Sequence, residues 1–162
     1  MPAPPPMRFV SRADRTELLA TRDAKSRLKT TINLAEERLT RAENLTQQKK
    51  FNGASEELGA YMGLIGDLRA FIETLDAEKS STRDLYKHFE IGVRPHIPRI
   101  AVMRRTTPVE YSLNLKETEQ YIKDTREHAL DSFYGHSVLR SDAPPDKPPE
   151  QPKEPSDPTK RP

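Results

Sequence analysis

The sequence predicts an all-α protein: an antiparallel up-down four-helix bundle built on a long helical hairpin, with disordered Pro-rich termini. Three observations carry this. Apolar residues between Arg8 and Ser141 recur at helical spacing, without the alternation of a half-buried strand. Of the 15 Pro in 162 residues, only Pro95, Pro98 and Pro108 lie in that region. The charge of successive helical segments also alternates in sign. The implied organisation is a disordered segment over 1–10, a bundle over 11–136 and a disordered tail over 137–162.

The first helix is expected to start after Ser11, whose side chain can cap it, and to run to about Gln48. Leu28, Ile32, Ala35, Leu39 and Ala42 mark its buried side. At 1.5 Å per residue it would be roughly 50 Å long. Its first third, from Arg15 to Lys25, is poor in large apolar groups and is expected to project or fray.

A short turn at Lys49–Gly53, with Asn52 as N-cap, would fold the second helix back antiparallel. Phe51, Ala54, Leu58, Tyr61, Ile65, Leu68, Ile72 and Leu75 form a heptad seam. Met62, Leu64 and Phe71 widen it, as burial within a bundle requires. Gly59 and Gly63, one turn apart, predict close approach of a neighbour on one side. Each costs roughly 1 kcal/mol relative to Ala in a helix, which such contact would offset.

The third helix is expected near Ser81, with Asp84 completing an acidic variant of the capping box. Leu85, Phe89, Val93, Ile97 and Ile100 line its buried side. Pro95 and Pro98 predict a kink or a break between Gly92 and Ile97, because Pro lacks the backbone donor and clashes with the preceding turn. In Thr106-Thr107-Pro108-Val109-Glu110, Thr107 reads as the N-cap of the fourth helix and Pro108 as its first residue. Tyr111, Leu115, Ile122, Ala129 and Phe133 follow on one side, and Gly135 is placed to end the helix in a left-handed cap.

The segments 12–50, 51–79, 80–106 and 108–134 carry net charges of +4, −4, +4 and −3. In an up-down bundle each basic rod would then lie beside acidic ones, including the fourth beside the first. An exposed ion pair is worth only about 0–1 kcal/mol, so this sets a preference of arrangement more than stability.

The chain holds no Cys, which removes disulfides, Cys-based zinc, iron–sulfur clusters and thiol nucleophiles and fits either redox compartment. No apolar run is long enough to span a membrane. No signal-peptide pattern stands at the start, so a cytoplasmic location is the default, with periplasm or export the alternative if the start lies elsewhere. A net charge of +2 gives no bulk attraction for nucleic acid.

The densest basic stretch offers Arg94, Arg99, Arg104 and Arg105 as contacts for an anion or a partner; the competing reading pairs these cations with the acidic fourth helix and the helix dipole. Asp84–His88 and Asp124–His128 each stand one turn apart. None of the four His has Glu three residues before it, so the di-iron pattern of bundle proteins is missing. No nucleophile elbow and no phosphate loop occurs. These residues call for no metal, cofactor or catalytic site. Pro149 to Pro152 forms a PxxP pattern, which reads as a docking motif or as part of a solvated tail.

Ala42, Leu45, Phe51, Ala54 and Leu58 resemble one helix-turn-helix unit of a tetratricopeptide repeat. Tyr61 stands where that repeat has a small residue, Gly66 where it has its closing Pro, and no second copy follows. The core, with its charged heptad hairpin, Thr-Thr-Pro-capped last helix and Phe133-Tyr134-Gly135 ending, also resembles bacterial all-helical proteins of no established activity. That resemblance implies a helical fold and a bacterial origin. The functional expectation is a non-enzymatic module that binds a protein partner or its own copy. The alternatives are an adaptor for nucleic acid or another polyanion through the basic third helix, and an enzyme with an unrecognised site between helices.

Overall fold

A computed structural model describes the backbone of residues 1–141 and the side chains of residues 1–135. Six helices and no strand occur among the described residues: α1 (Arg12–Leu19), α2 (Ala24–Gln47), α3 (Phe51–Glu73), α4 (Ser80–Val93), α5 (His96–Arg105) and α6 (Val109–Ser141). The four predicted helices are thus all present, but two of them are broken.

The first break separates α1 from α2. Ser11 caps α1 as expected, its Oγ accepting from Asp14 N at 3.0 Å. Asp23 then caps a new helix, with Oδ1 accepting from Ser26 N at 2.7 Å. Helix α1 does not fray. It packs on α2 through buried Leu18 and Asp14, and Arg38 binds Asp14 Oδ2 at 2.9 Å and Glu57 Oε2 at 3.1 Å. One guanidinium therefore ties α1, α2 and α3 together, and a region poor in apolar groups docks through charge-assisted hydrogen bonds.

The turn from α2 to α3 is tighter than the predicted one. Lys49 N donates to the Thr46 carbonyl at 3.0 Å and Lys50 N to the Leu45 carbonyl at 2.8 Å, with Lys49 at φ 59°. This is a Schellman end carried by Lys in place of Gly. Helix α3 begins at Phe51, so Asn52 is not its cap; Asn52 Oδ1 instead accepts from the Tyr111 hydroxyl at 2.7 Å. The seam is interior: Ala54, Leu58, Tyr61, Ile65, Leu68 and Ile72 are buried.

The second break is the one Pro95 predicts, and it is a break between α4 and α5. Helix α4 starts at Ser80 without a side-chain cap, so the expected Ser81–Asp84 box is not formed. The Thr-Thr-Pro segment also works otherwise than expected. Thr106 Oγ1 and Thr107 Oγ1 both donate back to the Met103 carbonyl, at 3.1 and 2.7 Å, and so close α5. The Pro108 carbonyl accepts the first bonds of α6. Gly135 does not end α6, which continues to Ser141. A helical Gly costs roughly 1 kcal/mol, too little to stop a packed helix, and the next Pro is Pro144. Residues 137–141, placed by the sequence in the disordered tail, are thus helical, and the rest of that tail lies outside the described residues.

Contacts between helices depart from the expected neighbours. Helix α2 packs on α3, α4 and α5, while α6 packs on α3, α4 and α5, so the third rod lies beside the first. The contact of α2 with α4 and α5, which joins two segments of net positive charge, runs against the weak preference of charge. A Cβ on Gly92 of α4 would lie 3.1 Å from Ile32 Cδ1 of α2, and one on Gly66 of α3 would lie 2.8 Å from the Tyr121 hydroxyl of α6. These bare positions let the rods approach there. The oppositely charged pairs survive where α2 meets α3 and where α4–α5 meets α6, as in Arg27–Asp67 and Arg104–Glu119.

Residues 1–10, expected to be disordered, run as an extended strap over α3 and α6. Carbonyls of Met7 and Phe9 sit where side chains at Gly59 and Gly63 would otherwise be, the close approach that the glycine spacing implied. Ala3 N donates to the Glu110 carbonyl at 2.8 Å, and the Arg8 guanidinium lies 4.2 Å from the centre of the Tyr121 ring. Backbone hydrogen bonds and a cation–π contact hold what composition alone marked as unpackable.

Candidate functional site

The four arginines named from the sequence lie along α4–α5 but form no common anion cradle. Arg94 is exposed and clamps Glu90 on the preceding turn, Nε to Oε1 at 2.8 Å and Nη2 to Oε2 at 2.6 Å. Arg99 crosses to α2, where Nε meets Glu43 Oε1 at 3.1 Å and Nη2 meets Thr40 Oγ1 at 3.1 Å. Arg104 Nη1 reaches Glu119 Oε2 on α6 at 3.0 Å. Arg105, exposed in the last turn of α5, makes no ion pair among the described residues. Three of the four cations are therefore neutralised within the fold.

Two of their partners, Glu90 and Glu119, are buried carboxylates that periodicity did not reveal, while Glu43 is half-buried. Glu90 is 2% exposed and also receives Arg126 Nε at 2.8 Å. The Arg94 hydrogen bonds hold its carboxyl below the usual range, against burial and with the help of Arg126. Glu119 is likewise buried, between Arg104 and Lys123. A Glu on a predicted helix face reads as solvated; only the packing of α6 on α4 and α5 encloses these two.

An enclosed ionisable pair is centred on His96, at the first position of α5. The ring is fully buried. Its Nδ1 lies 2.7 Å from the Tyr61 hydroxyl of α3 and its Nε2 lies 3.4 Å from Glu36 Oε1 of α2. In the neutral tautomer with the proton on Nε2, that N–H donates to Glu36 and Nδ1 accepts from Tyr61. Burial pulls the His96 ring below its ordinary value, opposed by the Glu36 hydrogen bond, and pushes the Tyr61 phenol well above its own. The relay joins three helices, and its two inner members have no face open to a substrate. Its signal in the sequence was Tyr61 on the seam; nothing local marked His96 as its partner.

Neither His–Asp pair expected from spacing forms among the described residues. His128 Nε2 lies 3.2 Å from Glu73 Oε1 of α3, and Asp124 accepts from Gln120. A mixed-charge cleft of about 470 Å³ opens where Asp23, Lys25, Asp76, Lys79, Asp84 and His88 gather near the starts of α2 and α4. No three metal-ligating side chains converge among the described residues.

The strap creates the second built polar site. Asn114 of α6 is 3% exposed, and its Nδ2 donates to the Pro4 carbonyl at 2.9 Å. Beside the strap an open cleft of about 480 Å³ is walled by Pro4–Pro6, Asn52, Glu56 and Tyr111. Sequence reasoning missed this site, because Asn114 resembles any polar position until the strap covers it.

No helix among the described residues is long and apolar enough to cross a membrane. Comparison of the chain with protein-family models, with curated proteins and with solved structures finds no significant match.

Proposed function

We propose that this chain is a non-enzymatic helical module that acts by protein contact, through association with its own copy or with a protein partner. Under this reading the helices form four rods running up and down, α2, α3, α4 with α5, and α6, with α1 docked as an outrigger. The observation that carries it is an asymmetry of exposed apolar surface. Ile91, Val102, Val109, Leu113 and Tyr134 are all at least 46% exposed, and all belong to α4, α5 and α6. No large apolar side chain of α2 or α3 is exposed to a comparable degree. Leu19 of α1 and Met1 and Met7 of the strap are exposed as well. Scattered apolar side chains are ordinary on a protein surface; the five on α4, α5 and α6 are what favour a contact face on those helices.

The anion-adaptor alternative is weaker, because Arg94, Arg99 and Arg104 already have carboxylate partners. Light scattering coupled to gel filtration over rising concentration tests the proposal. The expected result is a mass above the monomer at high concentration, lowered when Ile91 and Val102 are both changed to Lys. A strictly monomeric chain throughout would overturn the self-association form.

A further inference from the structure

We propose that the groove between α4 and the end of α6 is the seat of this chain's own Pro144–Glu150 segment, folded back along the helix that leads to it. The groove is a shallow recess of about 90 Å³, walled by Ile91 and Arg94 of α4 and by Leu130, Phe133 and Tyr134 of α6. Ile91 and Tyr134 stand 46% and 55% exposed, and the Phe133 and Tyr134 rings meet edge to face with centres 4.9 Å apart. Aromatic-lined grooves of this kind suit Pro-rich segments, because such a segment is already extended and gives up little freedom on docking. Four of the seven residues from 144 to 150 are Pro.

Charge selects this segment over the other Pro-rich ones. Glu90, 2% exposed, is shared between Arg94 and Arg126. Lys87 Nζ, 5.7 Å from the Phe133 ring centre, makes no ion pair among the described residues. Three cations against one carboxylate leave the groove at +2. Residues 142–150 carry Asp142, Asp146 and Glu150 against Lys147, a net −2. Residues 151–162 carry a net +1, and the Pro-rich start of the chain is already seated at the far end of α6.

The length of chain beyond the last described residue allows the contact within one molecule. Tyr134 stands seven residues before Ser141 on α6, roughly 10 Å at 1.5 Å per residue. An extended Pro-rich chain covers about 3.1 Å per residue, so residues 144–150 have the reach to turn and run back to Tyr134. So short a connection holds the segment at an effective concentration in the millimolar range, which populates a contact too weak to hold a free peptide. At micromolar protein the chain's own segment therefore outcompetes that of a second copy. Docked, it covers Ile91 and Tyr134, two of the five exposed apolar side chains of α4, α5 and α6, and a partner must displace it to use them. The inference goes beyond the protein-contact reading and does not depend on it.

The test uses the absence of Cys, which lets Gln151→Cys carry a nitroxide at one place in the full chain. At low micromolar protein, paramagnetic broadening of amide NMR signals is expected at Ile91, Arg94 and Tyr134. It should fall several-fold when Pro144, Pro145, Pro148 and Pro149 are all changed to Gly, and again when Asp146 and Glu150 are changed to Lys. Neither set of changes touches a helix. Ile91→Lys, at an exposed position, should have the same effect from the groove side. Broadening that is equal in the Gly variant would overturn the inference, because a mere tether gives it too. Broadening seen only when spin-labelled chain is mixed with isotope-labelled chain would also overturn it, by assigning the groove to a second copy. A monomeric chain that shows the contact removes the self-association form of the earlier reading and keeps this one; a self-associating chain without it does the reverse.

Discussion

The Tyr61 hydroxyl lies 2.7 Å from His96 Nδ1, with both side chains sealed from solvent. The pair couples α3 to α5 at the point where Pro95 breaks the third rod. The other ionisable groups facing the ring are Glu36 and Glu43 from α2 and Arg99 from α5. Because burial pulls His96 below its ordinary 6.5, the unfolded chain binds more protons than the folded one between the two values. The stability from the neutral ring is full above the unfolded value and is lost as pH falls below it. Thermal melting between about pH 8 and pH 5 should show a drop that His96→Gln reduces. Parallel slopes in the two proteins would contradict the assignment.

Lys49 holds φ 59° at the Schellman end of α2, a conformation that costs an L-residue about 1 kcal/mol and glycine little. Lys49→Gly should therefore raise stability by about 0.5–1 kcal/mol in urea unfolding. A loss of stability would mean that the Lys side chain contributes something beyond its backbone.

Gly63 gives its side-chain space to the Phe9 carbonyl. Gly63→Ala should displace the strap while adding up to about 1 kcal/mol of helix propensity, so the melting of the helices changes little. Trypsin cleavage after Arg8 should quicken several-fold. An unchanged cleavage rate would show that the strap does not depend on this notch.

Thr107 donates to the Met103 carbonyl and does not cap α6. Thr107→Ala should cost about 0.5–1.5 kcal/mol, the net worth of one hydrogen bond. Ser should restore most of it. Asp, a strong cap without a donor, should not; full rescue by Asp in equilibrium unfolding would return Thr107 to the capping role.

Much of the fold was legible residue by residue. Leu28, Ala35, Leu39, Leu58, Ile65, Leu68, Phe89, Ile100, Leu115 and Ile122 are buried at the positions that helical spacing marked. The break at Pro95 and the cap at Ser11 were legible for the same reason, since each follows from the backbone chemistry of one residue and its near neighbours. Asp23, which caps α2 over Ser26, carried an equally local signal that the longer apolar period concealed. The candidate site was less visible. The sequence offered Arg94, Arg99 and Arg104 either as anion contacts or as cations paired with the acidic fourth helix; Arg104 does pair with Glu119 of α6, but Arg94 pairs with Glu90 on its own helix and Arg99 with Glu43 of α2, 56 residues away.

What the amino-acid order determined by itself is the set of rods and the stripe each one hides, because a 3.6-residue period and its punctuation are short-range properties of the chain. Only the tertiary structure decided which rods abut, which carboxylates are enclosed, and that a Pro-rich strap lies over Gly59 and Gly63. Those outcomes depend on complementary shape and hydrogen bonding between residues far apart in sequence, such as Asn114 and Pro4, whose value exists only once the chain has brought them together.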